Sequence, residues 1–203
     1  MVNLFPMFLK LAGRRCLVVG GGAIGEGKIA GLLDAGAELT VVAPEVTETV
    51  KEWASAARIA WLARPFSPAD LEGVFLVVAA TSHAEVNDLV FREARQRGIL
   101  CNVVDDPVRC DFYYPAVLRR GRLQIAISTE GANPALAQRL RQELEQQFSA
   151  EYAAWLEELG ETRQRLFKTQ LDVSHRRRWL HLLASREAFE SFVQKRAREG
   201  RSG

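Results

Sequence analysis

Three glycines placed directly after a short apolar run constrain the fold of this chain more than any other feature. The run Cys16–Gly20 predicts a buried strand, and the spacing G-x-G-x-x-G follows at Gly20, Gly22 and Gly25. Glycine permits a tight turn at the first position, a close backbone approach to a phosphate at the second, and close helix packing at the third. The unpaired amides at the start of a helix attract an anion. The spacing therefore predicts a strand, a phosphate-binding turn and a helix in succession.

Apolar runs and helical spacings alternate after this turn. Three further runs predict buried parallel strands, and the stretches between them, where apolar residues recur three and four positions apart, predict helices. Regular alternation of strand and helix predicts an α/β fold, a Rossmann-type doubly wound parallel sheet. The predicted strands are Glu38–Ala43, Phe75–Ala80 and Leu100–Val104, and the predicted helices are Ala23–Ala35 and Glu85–Gln96.

Cap residues mark the ends of the predicted helices. Ser82 and Glu85 have the spacing of a capping box, in which each side chain accepts a hydrogen bond from the other residue's amide. Ser67 and Asn133 each precede a proline, which favours a cap followed by a first-turn proline. Gly36 and Gly98 follow helical stretches and predict helix ends there.

The sequence changes character after Asp111. Phe112–Leu118 is aromatic and apolar, Leu123–Ser128 alternates like a strand, and Pro134–Phe148 returns to helical spacing. Because the first two segments lie outside the main sheet pattern, they need a partner to cover them, and we expect a homodimer. From Glu151 onward the chain is helical and charged. We expect a Rossmann domain over 1–112, a dimerisation and substrate region over 113–150, and a small helical C-terminal domain over 151–203.

The charge balance argues against several classes of protein. The chain has 27 Lys and Arg against 25 Asp and Glu, so nucleic-acid binding has no global electrostatic support. The basic run Arg176–Arg178 beside Trp179 is more typical of a charged helix face than of a nucleic-acid or membrane contact. No apolar run reaches the ~18 residues of a membrane span, and the N-terminus lacks a charged leader. We therefore expect a cytoplasmic protein that binds neither nucleic acid nor membrane.

The cysteines and histidines form no recognisable disulfide or metal pattern. Cys16, Cys101 and Cys110 make neither an even set nor a CxxC pair, which is typical of a reducing compartment. We expect Cys101 and Cys110 to pack in or near the core. The chain's three histidines also lack metal-ligand spacing, so we expect no resident metal site.

An acidic residue follows the second predicted strand. Glu45 lies 20 residues past Gly25, where a carboxylate can accept hydrogen bonds from ribose hydroxyls, and this favours NAD over NADP. Pro44 bends the chain just before it, so a solvated loop glutamate is an equally good interpretation of Glu45. The expected cofactor contacts are Gly20, Gly21, Gly22, Ala23, Ile24, Gly25, Pro44 and Glu45.

A second motif ends the strand that begins at Leu100. The run Asn102-Val103-Val104-Asp105-Asp106-Pro107 places two carboxylates at the carboxyl edge of the sheet, where ligands bind in open α/β folds. Adjacent side chains point in different directions, so at most one aspartate faces a site. The other is expected to cap or decorate the turn before the proline.

Together these motifs resemble those of the precorrin-2 dehydrogenases, a family that also forms the N-terminal half of many siroheme synthases. The resemblance covers about residues 3–148 and is carried by an ordered series of motifs. They are Phe5-Pro6-Met7-Phe8-Leu9, VVGGGAIG at 18–25, LTVVAPE at 39–45, AATSHAEVN at 79–87, NVVDDP at 102–107, Asp111-Phe112 with Tyr114-Pro115-Ala116, and AISTEGANP at 126–134.

The resemblance implies an NAD-dependent oxidation of precorrin-2 to sirohydrochlorin in siroheme biosynthesis. It implies that Asp105 is the catalytic acid or base, that Thr81 contacts the cofactor, and that the protein is a homodimer. Some members of the family also insert iron or cobalt into the product, so the resemblance leaves this second activity open as an alternative. The family's small-hydroxyl pair falls on Ser128-Thr129, where some relatives have two serines.

Precorrin-2 carries many carboxylates, so a surface that receives it should be locally basic. The segment 112–141 has five arginines against Glu130, and arginine binds carboxylates bidentately. For any single arginine, however, a solvated helix or strand face is the more common role. The candidate substrate-binding residues are Asn102, which is also placed to orient Asp105, with Ser128, Arg119 and Arg120.

Two other functions fit the same motifs. One is an NAD-dependent dehydrogenase of another small acid, and the other is a module that binds NAD without chemistry. The carboxylate at Asp105 and the motifs that follow the sheet argue against the second.

Overall fold

A computed structural model describes residues 4–169 and 172–199 of the chain. The chain forms two compact units, which divide between Tyr114 and Pro115. The predicted boundary after residue 112 lies close to this division. The predicted boundary after residue 150 falls inside the second unit, and residues 1–3, 170–171 and 200–203 of the predicted domains lie outside the described part.

The first unit is a five-stranded parallel sheet with the strand order β3-β2-β1-β4-β5. The predicted α/β doubly wound sheet is thus confirmed. Its strands are β1 (Arg15–Gly21), β2 (Glu38–Val46), β3 (Ala60–Leu62), β4 (Leu76–Ala79) and β5 (Leu100–Val103), and its helices are α1 (Ala23–Asp34), α2 (Glu48–Ser55) and α3 (Ala84–Arg97). The sequence patterns did not identify β3 or α2, because both are short and Val50 is the one fully buried residue of α2.

Successive residues of β1 point to opposite faces of the sheet and build two separate cores. Val18 packs on the face covered by α1, with Ile29. Leu17 and Val19 pack on the other face, with Val90 of α3. Because both faces of the sheet are buried, the strand sequences are continuous apolar runs and do not alternate between apolar and polar residues. This arrangement leaves the carboxyl edge of the sheet as the exposed place where loops can form a site.

The helix caps are partly as predicted. Asn133 caps the following helix by accepting a hydrogen bond from Leu136 N at 2.9 Å, and Gly98 ends α3 with a left-handed φ of +66°. The capping box predicted at Ser82 and Glu85 is wrong, because α3 begins one residue later, after His83. Hydrogen bonds around Thr81 fix the chain there and shift the start of the helix.

The second unit is a β-hairpin packed with helices. Strands β6 (Ala116–Arg120) and β7 (Leu123–Ile127) pair antiparallel with each other. The helices are α4 (Pro134–Gln147), α5 (Glu151–Phe167), α6 (Val173–Leu183) and α7 (Arg186–Glu199). The predicted strand at 123–128 and the helical C-terminal region are therefore confirmed. Across residues 4–169 and 172–199, no helix combines the length and apolar character needed to cross a bilayer.

Candidate functional site

The turn after β1 is shaped by glycines that have no room for a side chain. Gly20 has a φ of +105°, and a Cβ there would overlap the carbonyl of Ala80. A Cβ on Gly25 would overlap the carbonyl of Gly20, and one on Gly21 would overlap Val46. The roles predicted for Gly20 and Gly25 therefore have a direct steric basis in the fold.

Gly22 differs from these glycines because its missing Cβ faces open space. It is the N-cap of α1 in an extended conformation, and the first helical bond runs from Glu26 N to Gly22 O at 2.9 Å. The amides of Ala23, Ile24 and Gly25 precede that bond and have no acceptor within the helix. An open cradle lined by unpaired amides fits the pyrophosphate of a dinucleotide.

The end of β2 lies beside this turn. Pro44 and Glu45 are exposed and belong to the strand, which runs on to Val46 instead of ending at Ala43 as predicted. Pro44 is tolerated because β3 pairs with β2 only as far as Val42. The N–H that proline lacks is therefore not needed for a hydrogen bond to β3. Glu45 is thus held at a strand end, in the position expected for a ribose-binding carboxylate.

A hydrogen-bonded link that sequence reasoning missed connects the first turn of α1 to the end of β2. Thr47 Oγ1 donates to Glu26 Oε2 at 2.6 Å, and Thr47 N donates to Gly21 O at 3.0 Å. The same hydroxyl accepts from Val50 N and caps α2. This link fixes the glycine turn relative to the strand that carries Glu45.

Thr81 follows β4 at the same edge of the sheet. Its hydroxyl donates to Asn87 Oδ1 at 2.9 Å, and Asn87 Nδ2 donates back to Thr81 O at 3.0 Å. Asn87 thereby fixes a loop whose first residue, Ala80, touches the glycine turn. The sequence motif contained Asn87, but only the fold identifies it as the residue that orients the Thr81 loop.

The two aspartates after β5 have different environments. Asp105 is exposed and has a left-handed φ of +61°, a conformation that few residues other than glycine adopt, although aspartate adopts it more often than most. Asp106 is half-buried, and its carboxylate lies 3.3 Å from Arg109 Nε. Asp106 is therefore paired inside the turn, as expected for one member of the pair, while Asp105 faces outward.

A buried amide and a thiol hold this turn in place. Asn102 is 7% exposed, and its Nδ2 donates to Phe112 O at 2.8 Å and to Cys110 Sγ at 3.3 Å. Cys110 Sγ in turn lies 3.2 Å from the carbonyl oxygens of Val103 and Asp106 and can donate to either. Its amide nitrogen is therefore used within the protein, where it ties β5 to the segment that follows the Asp105 turn.

The cysteines of this region are protonated thiols. Burial raises the pKa of Cys101 to about 12, and burial is also the largest cause of the raised pKa of Cys110. Cys16, Cys101 and Cys110 are all free, and the first two are buried, so the expected packing near the core is confirmed for Cys101. Within the described ranges, no group of three or more His, Cys, Asp or Glu side chains is arranged to hold a metal ion.

Lys28 of α1 lies close to the Asp105 turn, although sequence reasoning did not select it. Its Nζ is 3.8 Å from the centre of the Tyr114 ring. Burial lowers the pKa of Lys28, whereas the nearby Asp105 carboxylate raises it. Burial also raises the pKa of the Tyr114 hydroxyl, although the residue as a whole stays 39% exposed.

The remaining predicted site residues lie in the second unit, and two of them have roles within it. Arg120 donates through Nε to Phe148 O at 2.8 Å and through Nη2 to Glu145 O at 3.2 Å, so it binds carbonyls at the end of α4. Ser128 Oγ accepts from Glu130 N at 3.1 Å in the loop before α4. Arg119 is exposed.

The basic surface predicted over 112–141 is smaller than its five arginines suggest. Arg139 and Arg141 pair with Glu143 and Glu145 along α4. Arg120 is occupied as described above. Within the described residues, Arg119 and Arg122 are thus the two of the five that form no ion pair or side-chain hydrogen bond.

Two family models match the chain. One describes putative NAD(P)-binding proteins and covers residues 7–116, and the other describes the central region of sirohaem biosynthesis proteins and covers residues 120–147. The first model spans more than half of the chain. The point where one match gives way to the other lies close to the division between the two compact units.

The chain is similar to several curated siroheme synthases. The chain is 43% identical over 185 residues to siroheme synthase 3 of Aeromonas hydrophila subsp. hydrophila. The aligned residues cover 91% of this chain and 40% of that protein. It is 45% identical over 167 residues to the siroheme synthase of Methylobacillus flagellatus, covering 81% of this chain and 36% of that protein. The chain spans about two fifths of the length of these relatives.

A solved structure matches nearly the whole chain. SirC, a precorrin-2 dehydrogenase, superimposes with a TM-score of 0.78 at 31% identity, covering 95% of this chain and 98% of that one. The likeness includes both compact units, and the resemblance that the motifs indicated is confirmed. The chain therefore belongs to the precorrin-2 dehydrogenase family.

Proposed function

We propose that this protein oxidises precorrin-2 to sirohydrochlorin, with NAD as the hydride acceptor. The observation that carries the proposal is the common edge of the first unit: the glycine turn after β1, the Thr81 loop after β4 and the Asp105 turn after β5 all leave the sheet at its carboxyl ends. Ligands bind at this edge in open α/β sheets. The family membership supports the same reaction.

The glycine turn is the proposed dinucleotide site. The open space at Gly22 and the unpaired amides at the start of α1 would hold the pyrophosphate, and Glu45 would accept from the ribose hydroxyls, which favours NAD over NADP. Bound NAD supplies the chemistry of hydride acceptance. Thr81, fixed by Asn87, would line the loop between this turn and the Asp105 turn.

Asp105 is the proposed proton acceptor. Oxidation of precorrin-2 removes a hydride and a proton, and an ionised carboxylate can accept the proton. Asp105 is exposed in a turn held by Cys110, whereas Asp106 is paired with Arg109. The side chain of Asp105 is therefore the one of this pair that is accessible to a substrate.

Anaerobic turnover of precorrin-2 with NAD tests this assignment. Asp105→Asn should lower kcat/KM by about 100-fold or more, because an amide cannot accept the proton, and NAD affinity should be unchanged. Asp106→Asn is the matched control, and its effect should be much milder because its carboxylate serves the turn. A severe loss of turnover in Asp106→Asn, with near-normal turnover in Asp105→Asn, would show that Asp106 and not Asp105 accepts the proton.

The same assay separates the rival functions. Turnover of a different acid but not of precorrin-2 would identify another dehydrogenase, and NAD binding without any turnover would identify a binding module. Adding ferrous iron to the reaction tests for metal insertion into the product.

We propose that Arg119 binds substrate carboxylates. Ser128, in the loop that follows β7, is the second proposed substrate contact.

We also propose that the protein works as a cytoplasmic homodimer. The hairpin β6–β7 is a two-stranded sheet, and such a sheet has unpaired edges on both sides. Three free cysteines suit a reducing compartment. Sedimentation across micromolar concentrations should give the mass of a dimer, and a monomeric mass throughout would contradict the proposal.

A further inference from the structure

A half-buried carboxylate lies at the start of the helix that is proposed to bind the pyrophosphate. Glu26 directly follows Gly25 in the first turn of α1, and its Oε2 accepts a hydrogen bond from Thr47 Oγ1 at 2.6 Å. Across residues 4–169 and 172–199, no basic side chain forms an ion pair with it. A negative charge at this place opposes the binding of an anionic ligand, because like charges repel. Its presence beside a phosphate site therefore needs a reason.

The hydrogen bond from Thr47 holds this carboxylate at the end of β2. Thr47 directly follows the strand, and its amide donates to Gly21 O at 3.0 Å. Its hydroxyl oxygen also accepts from Val50 N at 3.3 Å, so the side chain is fixed from two sides. The fold thus brings the Glu26 carboxylate, from α1, to the strand end that carries Glu45.

Basic side chains from the neighbouring elements do not neutralise this strand end. Lys51 of α2 pairs with Glu48, with Nζ and Oε1 2.7 Å apart. Arg64, which follows β3, donates through Nη1 to Asp70 Oδ2 at 2.9 Å and binds the other carboxylate oxygen through Nη2. Each of these pairs has no net charge. Within the described part of the chain, the carboxylates from α1 and β2 form no ion pair, so the charge left at this edge is negative.

NAD and NADP differ by a single phosphate group on a ribose 2′-oxygen. In Rossmann domains that ribose lies at the end of the second strand, where an acidic residue binds the hydroxyl of NAD and an arginine receives the phosphate of NADP. Here the end of the second strand has two unpaired carboxylates, and the arginine that follows β3 is already paired. The pyrophosphate, which both dinucleotides share, has its own open cradle at Gly22. The charge at this edge therefore acts mainly on the group that distinguishes the two cofactors.

We propose that Glu26, held in place by Thr47, is a specificity-determining residue that rejects the 2′-phosphate of NADP. The inference rests on the proposed dinucleotide site and adds to it a second carboxylate besides Glu45. The matching family model is described as NAD(P)-binding, so the choice between the two dinucleotides depends on individual side chains.

Calorimetric titration of the full chain with NAD and with NADP tests the inference without any enzyme assay. The wild-type protein should bind NAD at least about tenfold more tightly than NADP. Glu26→Gln should raise the affinity for NADP relative to NAD by about fivefold or more, because it removes a negative charge. Glutamine keeps an oxygen that can accept from Thr47, so the link to β2 is retained. The wild-type preference should also weaken at high salt, which screens the repulsion.

Glu38→Gln is the matched control. Glu38 is an exposed glutamate at the opposite end of β2, so its substitution makes the same change in net charge away from the site. It should leave the ratio of the two affinities unchanged. Thr47→Val tests the structural alternative, in which the hydrogen bond matters and the charge does not. A changed ratio in Thr47→Val with an unchanged ratio in Glu26→Gln would overturn the inference.

Further outcomes separate this inference from the proposed function. Equal wild-type affinities for NAD and NADP, or an equal change of the ratio in Glu38→Gln and Glu26→Gln, would overturn the inference. If the protein oxidises precorrin-2 with NAD and Glu26→Gln leaves the ratio unchanged, the inference alone fails. If Glu26→Gln shifts the ratio as expected but the wild-type protein does not oxidise precorrin-2, the specificity role stands and the proposed function fails.

Discussion

The two compact units of this chain bury their apolar side chains to very different extents. In the first unit, strands such as β1 and β4 are almost completely enclosed, with Leu17, Val18 and Val77 at 0% exposure. In the described part of the second unit, Leu118 and Ala137 are the buried hydrophobic residues, and helices α5, α6 and α7 contribute none. A parallel sheet covered on both faces forms a complete core from a single chain, whereas this set of helices leaves apolar surface uncovered.

The second unit relies on ring contacts more than on enclosed aliphatic packing. The rings of Tyr152 and Phe189 stack with centroids 4.1 Å apart, and Trp155 packs against both. Phe167, Trp179 and Leu182 nevertheless stay more than half exposed. This difference between the units predicts that substitutions in the two units have unequal costs.

The largest expected effect is in the sheet. Leu17→Ala should lower the free energy of unfolding by about 2–5 kcal/mol, because it removes a fully enclosed side chain and leaves a cavity. Leu182→Ala, which truncates the same side chain where it is 60% exposed, should change stability by no more than about 0.5 kcal/mol. Urea unfolding of both variants measures the comparison. Equal costs would mean that the second unit is as enclosed in solution as the first.

A smaller effect separates two glycines of the same turn. Gly20→Ala should cost about 1–3 kcal/mol, because the new Cβ overlaps the Ala80 carbonyl and φ is +105°. Gly22→Val should leave the fold intact, since its Cβ faces open space, but should weaken NAD binding by filling the cradle. Thermal unfolding and calorimetric titration with NAD separate the two outcomes. Unchanged NAD affinity in a folded Gly22→Val protein would show that the pyrophosphate does not bind at this turn.

The features that were predicted correctly from the sequence are those fixed by residues close together in the chain. The glycine turn and the strand before Asp105 depend on apolar runs and spacings within about ten residues, and both were found where predicted. Lys28 and Tyr114 lie far apart in the chain and meet only because the segment after β5 returns to the α1 face. Local patterns contain no information on such a contact.

The same reason explains the residues whose roles differ from expectation. Arg120 is a residue type that binds carboxylates, but the fold places carbonyl oxygens at the end of α4 within hydrogen-bonding distance of its guanidinium. Asn102 lies in β5 near the carboxyl edge of the sheet, yet its amide is buried against the segment that returns from Asp106. In both cases the partner comes from a distant element, and a buried polar group is satisfied by whichever partner packing supplies.

The smallest expected effect concerns a helix end in the less enclosed unit. Asp172 caps α6 by accepting from Ser174 N at 2.8 Å and from His175 N at 3.0 Å, and its carboxylate also contacts the His175 ring. These hydrogen bonds, led by the one from the His175 amide, hold the pKa of Asp172 well below its ordinary value of 3.8. Because the folded-state pKa is depressed, the cap stabilises α6 at every pH above that ordinary value. Its contribution is lost as pH falls from about 3.8 toward the lower folded-state pKa.

The Ser174 and His175 amide signals in ¹⁵N spectra should therefore shift and exchange faster with solvent as the protein is acidified below pH 4. Asp172→Asn is the control, because asparagine can still cap the helix but does not titrate. In that variant the same amides should be insensitive to pH over this range. Leu17 and Val77 lie in strands that are paired on both sides within the sheet, so their amides should keep their protection while α6 loosens. If the amides of α6 were as resistant to acid as those of β1, the helix would be held by contacts stronger than its cap, and the contrast between the two units would be smaller than their burial indicates.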